Sequence, residues 1–179
     1  TYVYFDVHER NMFANATFEQ LVRQVQPHCE CSSQGRIPVL LAFNHPVIAL
    51  LWAVRRRCQE VANNHFNYSG IDGKDPISTI ELRFNGHVRF GGREGRYFRL
   101  VQPYEFFNHI PDACVYTYSF ALQPLLSQPT GSVNFSRIDT VQVFVDLQEG
   151  LAGTDVTFIM FGINWNILRF YEGIAGLQY

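Results

Sequence analysis

The chain has 179 residues, of which 47% are hydrophobic and 15% aromatic, enough to fill one packed core. Only 17% are charged, against roughly a quarter in an ordinary soluble domain, and this favours an assembly subunit over a solitary monomer. The formal net charge of -2 gives no general attraction to phosphate backbones and argues against non-specific nucleic-acid binding.

Basic charge is almost all arginine, with Lys74 the only lysine. Arginine's planar fork suits desolvated, paired positions. The cysteines Cys29, Cys31, Cys58 and Cys114 are too few and too scattered for a disulfide framework, so they read as reduced thiols. The first residues lack the basic, apolar, small-residue order of a secretory signal, and the chain does not begin with Met, so a fragment or a processed chain is expected. The glycosylation sequons at Asn15, Asn67 and Asn134 are accordingly read as unmodified.

Phe18, Leu21, Val22 and Val25 fall at i, i+3, i+4 and i+7, which predicts a short helix over residues 18–25, with Thr17 and Gln20 as a capping box and Pro27 as its stop. Residues 27–35 then read as a polar loop. The longest apolar run, residues 37–54, has the length of a membrane span, but Asn44-His45-Pro46 at its centre predicts a turn between two strands. Residues 59–76, with Glu60, Asp72 and Asp75, read as a solvated loop.

Ile80, Leu82 and Phe84 alternate with Glu81, Arg83 and Asn85, the pattern of a strand with one wet face. Gly91-Gly92-Arg93-Glu94-Gly95 reads as a hairpin turn, and residues 96–101 as the strand after it; without a following helix the glycines make no phosphate cradle. Residues 115–122 alternate again, with Tyr116, Tyr118, Phe120 and Leu122 on one face. Val141, Val143, Val145 and Leu147 do the same before a turn at Glu149-Gly150. Residues 156–170 are apolar on both faces, as expected of strands buried in a sandwich or against a neighbour. Many short strands between turn-rich loops predict an antiparallel sandwich, jelly-roll or immunoglobulin-like, which periodicity does not separate.

Chemistry-bearing groups are sparse. His28-Cys29-Glu30-Cys31 lacks a second paired cluster and would need Cys58 and His65 to complete a zinc site. No serine stands in a nucleophile elbow, and His65, His87 and His109 lack the spacing of a metal-dependent barrel enzyme. No catalytic, cofactor or metal site is predicted. Arg55-Arg56-Arg57 reads as a strand end with ion pairs. Arg137 and Asp139 share the parity of Val133, Phe135 and Val141, which predicts a partly buried Arg137–carboxylate bridge.

Tyr118-Ser119-Phe120-Ala121-Leu122, followed by Gln128-Pro129-Thr130-Gly131-Ser132-Val133-Asn134-Phe135-Ser136-Arg137-Ile138-Asp139, resembles the hallmark stretch of the major capsid proteins of the nucleocytoplasmic large DNA viruses. Asn44, His45 and Pro46, then Asn85, Gly86, Arg89 and Phe90, and finally Leu168 and Arg169, resemble further blocks on either side of it. Departures are Thr130 for the common Ser, Val133 for Cys, Gln123-Pro124-Leu125 for a Lys-Pro-Glu run, and Ile48-Ala49-Leu50 for a segment with Lys and Glu. These change surface or volume and leave the fold expectation intact.

The resemblance implies an all-β antiparallel jelly-roll sandwich, the second barrel of a double jelly roll, with an N-terminal strand and a short linker helix. Residues 1–35 would hold the end of the first jelly roll, with residues 1–5 as its last strand, plus the linker helix, and residues 36–179 the second domain. It also implies a structural role: homotrimeric, pseudo-hexameric capsomers of an icosahedral virion, with lateral contacts to other capsomers, minor capsid proteins as partners, assembly in the host cytoplasm, and neither specific nucleic acid nor a membrane span. A carbohydrate-binding, lectin-like jelly roll is the alternative.

Overall fold

The computed structural model describes residues 3–112 and 114–178. The chain divides into two compact units, residues 25–164 and residues 1–24 with 165–179.

Ten strands are found among the described residues: β1 (Phe18–Ser32), β2 (Arg36–Leu41), β3 (Pro46–Arg56), β4 (Ile77–Phe84), β5 (His87–Glu94), β6 (Tyr116–Ser119), β7 (Val133–Asn134), β8 (Val141–Leu147), β9 (Val156–Tyr171) and β10 (Ile174–Leu177). One sheet has the order β1-β9-β3-β6, with β7 paired to β3 and β10 to β9. The other has the order β2-β8-β4-β5. The pairs β2–β8, β4–β8, β4–β5, β3–β9 and β3–β6 are all antiparallel.

Alternation decides which side chains meet. On β8, Val141, Val143, Val145 and Leu147 point inward while Gln142, Phe144 and Asp146 point out. Its register places Val145 between Ile37 and Ile80, Val143 between Val39 and Leu82, and Val141 between Leu41 and Phe84. These three rows face Leu50, Trp52 and Val54 of β3 and Val156, Phe158 and Met160 of β9 in one core. A one-residue slip would turn a whole row outward, so the apolar pattern itself fixes the register. The outer face of the same sheet is wet: Arg36 pairs with Asp146 and Glu81, Arg83 pairs with Glu81, and both guanidinium groups lie 5.1 Å from the Phe144 ring centre.

The Asn44-His45-Pro46 turn forms as the sequence predicts, with His45 at φ 66 between β2 and β3. The hairpin after β4 turns at Asn85-Gly86, whose φ values of 49 and 80 match a type I′ turn, the twist-compatible connection for adjacent antiparallel strands. Gly91 to Glu94 therefore do not form the predicted turn but continue β5. Residues 96–101 are not a strand either: a π-helical stretch, Tyr97–Val101, leads directly into a short helix, Gln102–Phe106, and buries Phe98, Gln102 and Pro103. The strand expected over residues 115–122 is limited to β6, Tyr116–Ser119.

The largest correction concerns residues 18–25, which are strand and not helix, and β1 runs on through most of the expected 27–35 loop. From Val22 to His28 every second residue is half-buried. Two of the inward positions are glutamines: Gln24 accepts from the Asn166 amide at 2.8 Å, and Gln26 donates to Asn164 Oδ1 at 2.9 Å. Amide pairs stand where apolar side chains would otherwise mark period two, so the apolar residues that are left mimic helical spacing.

In the smaller unit the helix lies earlier, at α1 (Val7–Asn15). Asp6 caps it by accepting from the Val7 N–H, and the Glu9 carboxylate accepts the Asp6 N–H at 2.9 Å, a capping box. Phe13 packs against Phe5, Phe18 and Phe170 at 5.0, 4.9 and 5.6 Å between ring centres. Val3 to Phe5 are not in a strand; Thr1 and Tyr2, the rest of the expected strand, lie outside the described residues. β10 folds back on β9 through Glu172 and Gly173, both at positive φ.

Candidate functional site

Two of the blocks singled out in the sequence, ninety residues apart, meet at one junction. Pro46 and Val47 pair with Asn134 and Val133, the Phe135 N–H donates to the His45 carbonyl at 3.0 Å, and the His45 N–H donates to the Ser136 hydroxyl at 2.8 Å. Asn134 shapes the turn by accepting the Ser136 N–H at 3.0 Å. Gln26 closes the other side: its side-chain amide accepts from the Asn44 N–H at 2.9 Å and donates to the Asn44 carbonyl at 2.7 Å, as a strand neighbour would.

Phe135 drives this junction into the core. It is 2% exposed, with Phe84, Phe120 and Phe43 at 5.6, 5.9 and 6.3 Å between ring centres. The ring contacts continue through Tyr118, Phe90 and Phe98 to Trp52, so the junction is linked to the centre of the sandwich. Asn85 adds a further tie: its backbone N–H donates to the Thr140 carbonyl at 2.8 Å and its Oδ1 accepts the Thr140 N–H at 2.9 Å. Asn44, His45, Pro46, Asn85, Gly86, Asn134, Phe135 and Ser136 are thus structural fasteners, chosen for turn geometry and backbone satisfaction.

The other predicted positions lie elsewhere. Gln128, Pro129 and Gly131 belong to the loop after β6, which Thr130 closes by accepting from the Gln123 N–H at 2.9 Å and donating to the Gln123 carbonyl at 3.1 Å. Gly131 has φ 144, and a Cβ there would sit 3.1 Å from the Phe120 carbonyl oxygen, so the hallmark requires glycine. Arg89 and Phe90 are on β5. In the smaller unit Leu168 faces Leu177 across β9 and β10, while Arg169 opposes Gly176 and pairs with Glu19 at 2.6 Å.

The expected Arg137 bridge does not form: Phe135–Arg137 is a 3-10 turn that breaks the strand parity, and Arg137 and Asp139 are exposed, with no ion pair to Arg137 among the described residues. Cys29, Cys31 and Cys58 are exposed and Cys114 is half-buried; among the described residues no three of His, Cys, Asp and Glu gather closely enough to hold a metal ion. No described helix is long and apolar enough to cross a membrane.

Two ion-pair centres arise where the sequence reads as a solvated loop. Glu60 receives Arg55 at 2.6 Å and the Thr157 hydroxyl at 3.3 Å, and hydrogen bonding from Arg55 holds its carboxyl below the usual range. That contribution to stability is present above the ordinary carboxyl value and fades as the pH falls through the lowered one. Asp75, its side chain 13% exposed, forms an ion pair with Arg99 at 2.6 Å, and accepts hydrogen bonds from Arg99 Nη2 at 3.1 Å and from the Tyr116 hydroxyl at 3.2 Å.

Burial first, and the Asp75 carboxylate second, push the Tyr116 phenol well above its ordinary value, and burial also raises the Cys114 thiol. An unfolded Tyr116 ionises near pH 10 while the folded one keeps its proton, so stability is intact below about pH 10 and is lost as the pH rises beyond it. In an alkaline ultraviolet titration, one of the nine tyrosines is expected to ionise only with unfolding. All nine titrating while the fold is intact contradicts this.

A family model of the large eukaryotic DNA virus major capsid protein matches residues 9–176. The major capsid protein of Pyramimonas orientalis virus is 34% identical over 201 aligned residues, covering 99% of this chain and 47% of its own length. That of Paramecium bursaria Chlorella virus 1 is 27% identical, covering 99% of this chain and 52% of its own. Among solved structures, PBCV-1 VP54 superposes with a TM-score of 0.78 at 25% identity over 98% of this chain and 55% of that one. The Faustovirus major capsid protein shares the fold, with a TM-score of 0.78 at 15% identity over 86% of this chain and 34% of that one. The chain spans about half the length, or less, of these relatives. Its fasteners, its two facing sheets and the family match over nearly its whole length agree, and the chain belongs to the large eukaryotic DNA virus major capsid protein family.

Proposed function

We propose that this chain is the second barrel of a double jelly-roll major capsid protein and that its work is mechanical. The observation that carries the reading is the family match over residues 9–176. Residues 36–179 form the barrel, and residues 1–35 hold the end of a first jelly roll with its link; β1, which joins the β9 sheet, is the strand by which the link enters. Three chains, each with two barrels, close a pseudo-hexameric homotrimer by heterologous contacts, and such capsomers tile an icosahedral shell, touching one another and minor capsid proteins. Assembly takes place in the host cytoplasm.

The physical support is a packed sandwich core in a chain with sparse charge. On the outward side of the β3–β9 pair, Leu51 and Ile163 are half-buried and Phe161 is 41% exposed, an apolar face of the kind that subunit contacts cover. No observation favours the carbohydrate-binding alternative. Light scattering on the full-length protein is expected to give the mass of three chains, and electron microscopy of the purified product to show hexagonal outlines. A stable monomer over the assay's concentration range overturns the proposal.

A further inference from the structure

β5 is the last strand in its sheet, so no other strand of that sheet covers its far edge. It is also bulged twice. Opposite β4, Leu82 pairs with Phe90 and Arg83 with Val88, leaving Arg89 as an extra residue; Ile80 pairs with Arg93, leaving a second extra residue at Gly91-Gly92. A bulge re-aims the side chains beside it. Here the two bulges bracket Phe90 and bring Arg89 and Arg93 to one mouth.

That mouth opens a cavity of about 160 Å³ lined by Arg89, Phe90, Arg93, Tyr97, Phe98 and Tyr118. Two cations thus rim a pocket of four aromatic rings. The Arg93 guanidinium lies 4.7 Å from the Tyr97 ring centre, and the Tyr97 hydroxyl is held by the Gln102 amide at 2.9 Å. Phe98 is fully buried and packs on Phe90 at 4.9 Å, so the floor is rigid.

The two arginines carry charge that the fold does not neutralise. Arg36, Arg55, Arg57, Arg83, Arg96, Arg99 and Arg169 each have a carboxylate within 4 Å, but among the described residues neither Arg89 nor Arg93 has one. The acid of their own strand, Glu94, lines a different cavity beside Lys74 and Arg96. Two guanidinium forks beside a low-dielectric aromatic wall attract a planar carboxylate more strongly than solvated arginines do.

We propose that this pocket binds the carboxylate side chain of a glutamate or aspartate presented by a neighbouring polypeptide. The carboxylate bridges Arg89 and Arg93, and its methylene stem rests on the aromatic rings. A polypeptide source is favoured over a free anion because the rings give a free anion nothing to rest on and because β5 is an edge strand, with no further strand of its sheet paired beyond it. This inference does not depend on shell assembly.

The test follows the arginine Nε–H and tyrosine ring resonances of the whole chain during titration with a glycine-flanked glutamate peptide, its glutamine isostere, acetate and inorganic phosphate. The expected result is a saturable shift at Arg93 and Tyr97 with the glutamate peptide, at least about tenfold weaker with the glutamine peptide and with either free anion, and weakened by salt. Arg89→Gln with Arg93→Gln should abolish it without moving the unfolding midpoint, since both side chains are exposed. Should that pair unfold the protein, Arg89→Lys with Arg93→Lys keeps the charge, and is expected to weaken the shift by removing the fork. No saturable shift with the glutamate peptide, equal binding of the glutamine peptide, or equal binding of acetate or phosphate overturns the proposal.

Discussion

Phe135→Ala is expected to destabilise the chain by about 3–5 kcal/mol, the range for deleting a buried phenyl ring. The side chain is 2% exposed and its ring neighbours come from three other segments, Phe43, Phe84 and Phe120, which are too well held elsewhere to collapse into the space. The cost therefore includes a cavity as well as the lost transfer of the ring from water. In urea unfolding the midpoint should fall with little change in slope, and the thermal midpoint should drop by roughly 6–20 °C for a chain of this size. Phe135→Leu should recover most of the loss. A destabilisation below about 1 kcal/mol would show that the junction is a surface ornament and not an anchor.

Asp75→Ala should cost about 2–4 kcal/mol, because it strands Arg99 with its side chain 24% exposed and leaves the Tyr116 hydroxyl without its acceptor. Arg99→Ala strands the carboxylate in its turn. The double variant leaves neither charge unpaired, so its loss should be smaller than the sum of the two by about 1–3 kcal/mol. Arg96, whose side chain is 75% exposed and lies 3.8 Å from the same carboxylate, serves as the control: Arg96→Ala should change stability by less than about 0.5 kcal/mol. Strict additivity of Asp75→Ala and Arg99→Ala would mean that the two act through different contacts.

The legible parts of the fold were those where one face is apolar and the other wet. β4 and β8 alternate cleanly because Glu81, Arg83, Phe144 and Asp146 build an ion-paired outer face while the valines meet inside. β1 was illegible because Gln24 and Gln26 turn inward onto Asn166 and Asn164, and a satisfied amide carries no apolar signal. The true helix start at Asp6 and Glu9 obeys the same capping rule that Thr17 and Gln20 satisfy on paper; α1 buries no residue, and without an apolar stripe its signature has no support. The helical turn after Gly95 buries Phe98 and Gln102 on a mixed sequence whose residues fit strand or helix equally.

At the junction, the family blocks include Asn44, His45, Asn134, Phe135 and Ser136, but nothing in the spacing says that a serine hydroxyl reaches a histidine amide 91 residues away. The Arg137 expectation failed for a local reason, a 3-10 turn of three residues that resets the parity on which it was built. Asp75 with Arg99, and Glu60 with Arg55 and Thr157, were invisible for a different one: an ion pair leaves no periodicity, and only the excess of arginine over lysine hinted that such pairs exist.

The antiparallel registers have a consequence for how the polypeptide is made. Arg36 waits for Asp146, and Ala53 and Val54 wait for Ile159 and Phe158, so β2 and β3 gain their partners β8 and β9 only after more than a hundred further residues have left the ribosome. Half-synthesised chains expose the valine and phenylalanine rows with nothing to cover them, and loop closure over such spans is slow. Nascent molecules crowded on one messenger thus hold unfinished apolar edges side by side, the condition in which aggregation competes with folding.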